Sequence, residues 1–338
     1  MVYPLYLLCY SLIMEKKVAE KRIIELRKTL EKHRVLYHVK DAPIISDEVY
    51  DSLMQELAKL EEKYPEFEDK LSPTKRIGGE VLDHFEKVKH EIKQWSFDNV
   101  FNLEELKNWE ERNEKVLLKE GIKDKPSYVA EMKIDGLKVV LTYKDGVFIR
   151  GATRGDGSIG EDITENLKTV KTIPLNLKDK VSMTVIGEAW MKKTELDKIN
   201  KKREKEGLPL YANTRNLTAG TLRQLDTKVV ASRNIQIYAY DIEGYFIETQ
   251  NEELNFLEEN GFLVNKDRKL CKTLEEIQAS INDIHTKLSF AQNSGRTGMV
   301  TQMLMVLEGY QTAYKEKMDE LYKKQNIQPN INVQRQSP

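Results

Sequence analysis

Residues 131–153 read EMKIDGLKVVLTYKDGVFIRGAT, and their periodicity decides the fold class. LKVVLTY (137–143) and GVFIRGAT (146–153) both alternate with period two around Lys144-Asp145-Gly146, the mark of a β-hairpin. Further strands are expected at VSMTVIGEAW (181–190) and NIQIYAYDIEG (234–244), with helices over 193–206 and 216–225. Strands that meet through hairpins, with helices set between them, predict an α+β domain built on antiparallel sheets, not a parallel doubly wound one.

Working outward, residues 14–64 carry apolar side chains at helical spacing (Val18, Ile23, Leu26, Leu30, then Leu53, Leu57, Leu60), broken by DAPIISD at 41–47. This predicts a helical hairpin whose second arm starts at Ser46-Asp47, where either side chain suits a cap. Residues 73–97 read mostly as loop and 103–118 as a helix. Downstream, 274–288 and 300–324 are expected to be helical, and 326–338 has the polar, Pro-containing composition of a disordered tail. The apolar run YPLYLLCYSLI at 3–13 lacks a basic leader and a cleavage site and is too short to span a bilayer. It reads either as an extension packed on the body or as a misassigned start, with Met14 opening the first good helix.

Composition narrows the class. The 338 residues are 40% hydrophobic, enough to bury real cores and to exclude a disordered chain. Lys plus Arg (54) and Asp plus Glu (55) nearly cancel, which neither supports nor excludes nucleic acid, because phosphates respond to local patches. The two cysteines, Cys9 and Cys271, form no zinc-type or secreted disulfide pattern, so reducing cytoplasm is the expected compartment, with no membrane partner.

The chemistry centres on Lys133-Ile134-Asp135-Gly136 with Glu131 before it. On a strand, Glu131, Lys133 and Asp135 would share one face and enter one pocket. A lysine attacks phosphorus only as the neutral amine, which burial, nearby cations or a metal ion favour. Alone, the tetrapeptide reads as a surface lysine before an Asp-Gly turn. Its company argues otherwise: Arg154 in ATRGDGSIGED, Glu188 in VIGEAW, Arg215 and Arg223 in YANTRNLTAGTLRQLD, and, upstream, YHVKDAPIISDEVYD, SPTKRIGGEVLDHFEKVKH and WSFDNVF. In this order the motifs resemble the NAD-dependent, bacterial-type DNA ligases over about residues 16–275.

The resemblance implies a helical nicotinamide-mononucleotide-binding domain at 14–72, which closes over that half of NAD, and an adenylation (nucleotidyltransferase) domain at 73–275. A helical segment of unknown role at 276–325 and the tail complete the chain. It implies that Lys133 becomes lysyl-AMP and that Glu131 accepts from the adenine amino group as an ionised carboxylate. Ser96 and Phe97 would meet adenine through the backbone and Tyr240 would stack on it. Arg154 and Glu188 match ribose- and phosphate-proximal positions, and Arg215 and Arg223 positions near the leaving nucleotide or the nick. Tyr37, His38, Asp47, Tyr50 and Asp51 match the nicotinamide side, with Asp47, Tyr50 and Asp51 on one helix face. NAD and Mg²⁺ are the implied cofactors and nicked duplex DNA the implied partner.

The departures are as specific as the matches. After LCKTLEEI the family shows a DGVVIKV-like strand and then a second lysine motif, and here SFAQNSGRTGMVTQMLMVL stands instead. No strand-rich OB-like module follows Glu243, and the zinc finger, helix-hairpin-helix array and BRCT domain are not found either. Three readings stay open: one subunit of a split ligase, with a partner supplying the later motifs and an OB-fold; an ATP-using polynucleotide ligase or capping-type nucleotidyltransferase; and a non-catalytic nucleotide- or nick-binding protein. The helical NAD segment argues against the second, and the intact KIDG with its Glu and Arg partners against the third.

Overall fold

A computed structural model describes residues 3–293, apart from 41, 43, 70, 78–83, 96–97, 101–102, 120, 122 and 124, together with 302–308 and 330–333. The chain opens with α1 (Tyr3–Arg34), continues through a π-helical turn (Val35–Val39) and returns along α2 (Asp47–Lys63). One continuous helix thus runs through the apolar 3–13 stretch. Ser46, not Asp47, caps α2: its hydroxyl accepts from the Val49 amide at 3.4 Å. Ile23, Leu26 and Leu30 of α1 close on Leu57 of α2, as the helical spacing requires, and Tyr50, Leu53 and Phe67 flank them. Arg22–Glu56 and Arg27–Glu61 bridge the two arms at 2.7 and 2.6 Å. No helix among the described residues is long and apolar enough to cross a membrane.

The remainder runs β1 (Lys87–Lys89), β2 (Asp98–Val100), α3 (Leu103–Lys119), β3 (Ser127–Lys133), β4 (Leu137–Lys144), β5 (Val147–Thr153) and β6 (Ile159–Glu161). Then come α4 (Thr164–Lys168), β7 (Met183–Trp190), α5 (Lys193–Lys205), α6 (Thr214–Leu222), α7 (Thr227–Ala231) and β8 (Gln236–Glu243). The last elements are α8 (Gln250–Glu259), β9 (Lys269–Cys271), α9 (Leu274–Asn293), β10 (Gln302–Glu308) and β11 (Asn330–Val333). Three sheets result: β5-β4-β7-β8, wholly antiparallel; β2-β11-β10-β3-β9, with one parallel pair, β2 and β11; and the ribbon β1-β6. The α+β antiparallel expectation matches this architecture.

The β4–β5 turn has positive φ at both Asp145 (50°) and Gly146 (79°), which two-residue hairpin turns of the tightest kind need and which Asp-Gly tolerates well. One face of the four-stranded sheet, carrying Val139, Leu141, Val185, Ala189, Ile237 and Ala239, is sealed in the main core. The opposite face carries Lys138, Glu188, Tyr238 and Tyr240, and residues of β3 close over it.

Two expectations for the end of the chain are corrected. Gln302–Glu308 is a strand, not part of a 300–324 helix: β10 runs antiparallel along all of β3, from Gln302 opposite Lys133 to Glu308 opposite Ser127. A short apolar run satisfies either period, and an open place beside β3 decides between them. Asn330–Val333, expected in a disordered tail, is strand β11, paired with β10 and β2. The segment after 276 therefore keeps the helix expected over 274–288, as α9, and then adds two strands to the sheet of β3. Residues 309–329 lie outside the described residues.

Candidate active site

β3 delivers the two central side chains. Lys133 ends the strand, half-buried, and Glu131 precedes it on the same face, 2% exposed. Asp135 does not join them. Past Lys133 the chain turns into β4, which pairs with β7, and the approach is tight: a Cβ on Gly136 would lie 2.0 Å from the Ala189 carbonyl oxygen. Asp135, between the end of the strand and that contact, is exposed and pairs with Arg215 at 3.1 Å. The Gly136 amide donates to Glu188 Oε1 at 3.1 Å, which fixes that carboxylate beneath the turn.

Lys133, Arg154, Glu188, Arg215, Arg223 and Tyr240 line one cleft of about 690 Å³. Each has a structural reason for its place. Glu188 and Tyr240 stand on the face of β7 and β8 that β3 covers, Arg154 follows β5 and donates from Nε to the Gln94 carbonyl at 3.3 Å, and α6 brings Arg215. Arg223, just after α6, pairs with Glu161 of β6 at 2.6 Å. Burial pushes the Glu188 carboxyl up to about 6, although Lys133, Arg215 and the Gly136 amide pull it down. Burial, with Glu188, Asp241, Glu131 and Glu243 nearby, raises the Tyr240 hydroxyl well above its ordinary value.

Behind Lys133 the cleft meets a narrow slot of about 30 Å³ walled by Glu131, Tyr238, Tyr240 and Asn265. Tyr238 is itself stacked on Trp190, with ring centroids 5.6 Å apart and planes 12° from parallel. Burial pushes the Glu131 carboxyl up to about 8; Arg268 draws it down and Asp241 adds to the rise. Its Oε2 has no hydrogen-bond partner among the described residues. A buried oxygen left so costs roughly 1–3 kcal/mol, a cost that a ligand donor entering the slot would offset.

The nicotinamide-side candidates are elsewhere. Tyr37, Tyr50 and Asp51 line a second cleft, about 1070 Å³, between the helical hairpin and the edge formed by Trp190, Arg233 and Tyr238. The structure therefore brings Glu131, Lys133, Arg154, Glu188, Arg215, Arg223 and Tyr240 together, but not Tyr37, Tyr50 or Asp51 with them. The His38 and Asp47 side chains, and Ser96 and Phe97, lie outside the described residues. Sequence reasoning passed over Lys138 and Trp95, which also line the Lys133 cleft. The signal for Lys138 was present: in LKVVLTY it sits out of phase with Val139, Leu141 and Tyr143, all on the core face.

Comparison with known proteins agrees with this geometry. A family model described as NAD-dependent DNA ligase adenylation domain matches residues 82–303, and one described as DNA ligase-like, N-terminal NAD+-binding domain matches 16–78. The first runs past residue 275, where the motif resemblance stops, and into β10. A protein named DNA ligase from Brevibacillus brevis is 45% identical over 271 residues, 79% of this chain and 40% of its own length. Those of Bacillus subtilis (strain 168; 44% over 277 residues, 81% and 41%) and Acholeplasma laidlawii (47% over 266, 78% and 40%) match similarly. The chain spans about two fifths of the length of these relatives.

Proposed function

This chain belongs to the NAD-dependent DNA ligase family, and from that premise we propose that it transfers AMP from NAD to its own Lys133, with release of nicotinamide mononucleotide, as the first step of sealing DNA nicks. The observation that carries the reading is the pairing of Lys133 at the mouth of the cleft with the unpartnered Glu131 carboxyl in the slot behind it.

Adenine would lie in the larger cleft against Tyr240, with its amino edge toward the slot, which at about 30 Å³ is too small for the whole base. Burial favours the protonated Glu131 carboxyl before a ligand enters, and in that form it can accept from the adenine amino group and donate its own proton to a ring nitrogen. The adenylyl phosphorus then lies near Lys133. The lysine nitrogen's lone pair forms the N–P bond, the P–O bond to nicotinamide mononucleotide breaks, the electron pair leaves on that nucleotide's phosphate, and one proton departs from the nitrogen. Arg154 offsets charge on the transferring group, while Arg215 and Arg223 at the rim suit the leaving nucleotide or the nick.

Mg²⁺ enters this reading through the family. Among the described residues no group of three or more His, Cys, Asp or Glu side chains could hold a metal ion. An ion here would be bound largely by the substrate phosphates. Because Tyr37, Tyr50 and Asp51 line the other cleft, recognition of the nicotinamide half requires the helical hairpin to move toward Lys133. Cytoplasm is the compartment that goes with this chemistry.

The test is incubation with adenylate-labelled NAD and, separately, ATP. One AMP on the tryptic peptide containing Lys133, lost in Lys133→Ala, is the expected result. A label that survives that substitution overturns the assignment, and efficient labelling from ATP returns the ATP-using alternative.

Sealing makes a further demand. The chain spans about two fifths of the length of its relatives, and we propose that the further cations and the OB-fold that sealing needs lie on polypeptide outside residues 1–338, such as a partner subunit. Each missing cation costs about a hundredfold to a thousandfold in rate. Ligation of a nicked duplex by this chain alone, with NAD and Mg²⁺, should accordingly be negligible. Robust multiple turnover by the chain alone would end the split-ligase reading.

A further inference from the structure

Besides Lys133 and the exposed Lys87 of β1, the cleft is lined by a half-buried lysine. Lys138 of β4 stands directly opposite Glu188 of β7, so both side chains project from the face that the cleft covers. Lys138 is half-buried, and burial pushes its ammonium down while Asp241, Glu243 and Glu188 pull it up and Arg154 opposes them. An ammonium has three donors. Among the described residues this one makes a single hydrogen bond, to the Trp95 carbonyl at 3.3 Å, and has no carboxylate within 4 Å.

The two rim arginines differ from it. Arg215 and Arg223 are exposed, and each already has a carboxylate, Asp135 or Glu161. Lys138 has given up part of its hydration with Asp241, Glu243 and Glu188 nearby but no salt bridge to any of them, so two of its three donors stay available to an incoming anion. Its neighbours along the cleft, Lys133 and Arg154, are the groups assigned to the adenylyl phosphate.

We propose that Lys138 is a further phosphate-binding residue of this cleft, donating to a phosphoryl oxygen of the bound nucleotide. The proposal rests on the reading of the cleft as a nucleotide site, but not on transfer to Lys133. It also adds a cation within this chain.

The test is equilibrium binding of AMP and of adenosine to the full chain by calorimetry, for the wild type, Lys138→Met, Lys138→Gln and Lys138→Arg, each checked for a native melting transition. The wild type should prefer AMP. Either neutral variant should weaken AMP about 10- to 100-fold, as expected for loss of a charge-assisted hydrogen bond, and change adenosine by less than about twofold. Lys138→Arg should recover most of the preference. Equal weakening of both ligands would make Lys138 a strut under Trp95 and overturn the proposal, as would unchanged AMP affinity or a wild-type chain that binds neither ligand. If NAD leaves no label on Lys133 yet the preference for AMP still depends on Lys138, the ligase reading fails and this one stands.

Discussion

The Lys133 cleft and the groove under the helical hairpin are assembled by different means. In the cleft, strand register fixes the groups: Glu188 beneath Gly136, Lys138 opposite Glu188, Glu131 and Lys133 on one face of β3. In the groove, Tyr37, Tyr50 and Asp51 ride on a hairpin with its own small core, tied to the body by arginines that grip backbone carbonyls. Arg34 donates to the carbonyls of Lys171 and Gly261, and Arg76 to those of Lys168, Val170 and Ile173. On the proposed reading, Lys133, Glu131, Lys138 and Glu188, which face the reacting nucleotide, sit on strands, whereas the candidates for the leaving half of the substrate sit on a unit with its own core.

The largest separable effect between the regions should be their opposite response to pH. Glu131 has a folded-state value of about 8 against an ordinary 4.5, so the folded chain keeps a proton that the unfolded chain releases in between. Its contribution is fully present below about pH 4.5 and is lost as pH rises through 8, at up to about 1.4 kcal/mol per pH unit. Glu188, at about 6, adds to the same decline over a shorter window. In the hairpin the sign reverses. Arg22 holds Glu56 below its ordinary value, so that contribution is present above it and fades as pH falls. The pair is half-exposed, and a few tenths of a kcal/mol is its scale. Urea melts from pH 5 to 8.5 should show wild-type stability falling and Glu131→Gln falling less. Equal slopes would mean that the buried carboxyl is not the source.

Next in size is the separation of cofactor choice from nucleotide binding. Tyr37→Ala or Asp51→Ala should lower labelling from NAD about 10- to 100-fold, the cost of one aromatic or charged contact. AMP affinity should stay unchanged, because neither residue lines the Lys133 cleft. Titrations and labelling rates on the same preparations check both. Equal loss of the two would show that the substitutions damage the fold or that the regions are not separable.

How much of this the sequence revealed follows the same division. Local signals were legible: the Lys-Asp-Gly turn and the two strands beside it, the helix after Leu103, the apolar stripe that closes α1 on α2. Residue order was also enough to gather Glu131, Lys133, Arg154, Glu188, Arg215, Arg223 and Tyr240 around one cleft, since family motifs carry spatial information that periodicity lacks. Long-range facts were hidden. That the chain past Lys133 leaves Asp135 outside and brings Gly136 close to Ala189 is a contact across a gap of more than fifty residues of chain. That Gln302–Glu308 is a strand depends on a vacant place beside β3. Where the hairpin seats depends on carbonyls that no side-chain pattern encodes.

The smallest effect on activity is expected from Arg34→Ala, and it tests whether the observed seat of the hairpin is the reactive one. Arg34 is 2% exposed and is held by Glu31 through three bonds of 2.8–3.0 Å, so its guanidinium is fixed before it reaches the body. Its Nη1 meets the Lys171 carbonyl at 2.6 Å and Nη2 the Gly261 carbonyl at 3.2 Å. Removing these charge-assisted bonds, each worth about 1.5–3 kcal/mol at most, should loosen the hairpin against the body, while Arg76 keeps it attached. Hydrogen exchange should then quicken over 19–63 and stay unchanged over 127–190. If NAD reacts only after the hairpin leaves this seat, the substitution removes part of the cost of leaving, and labelling of Lys133 should be retained or rise by no more than about threefold. A tenfold or larger fall, with AMP affinity intact, would show that the seat gripped by Arg34 is the one in which NAD reacts. The distinction between a fixed cleft and a movable selector would then have to be given up.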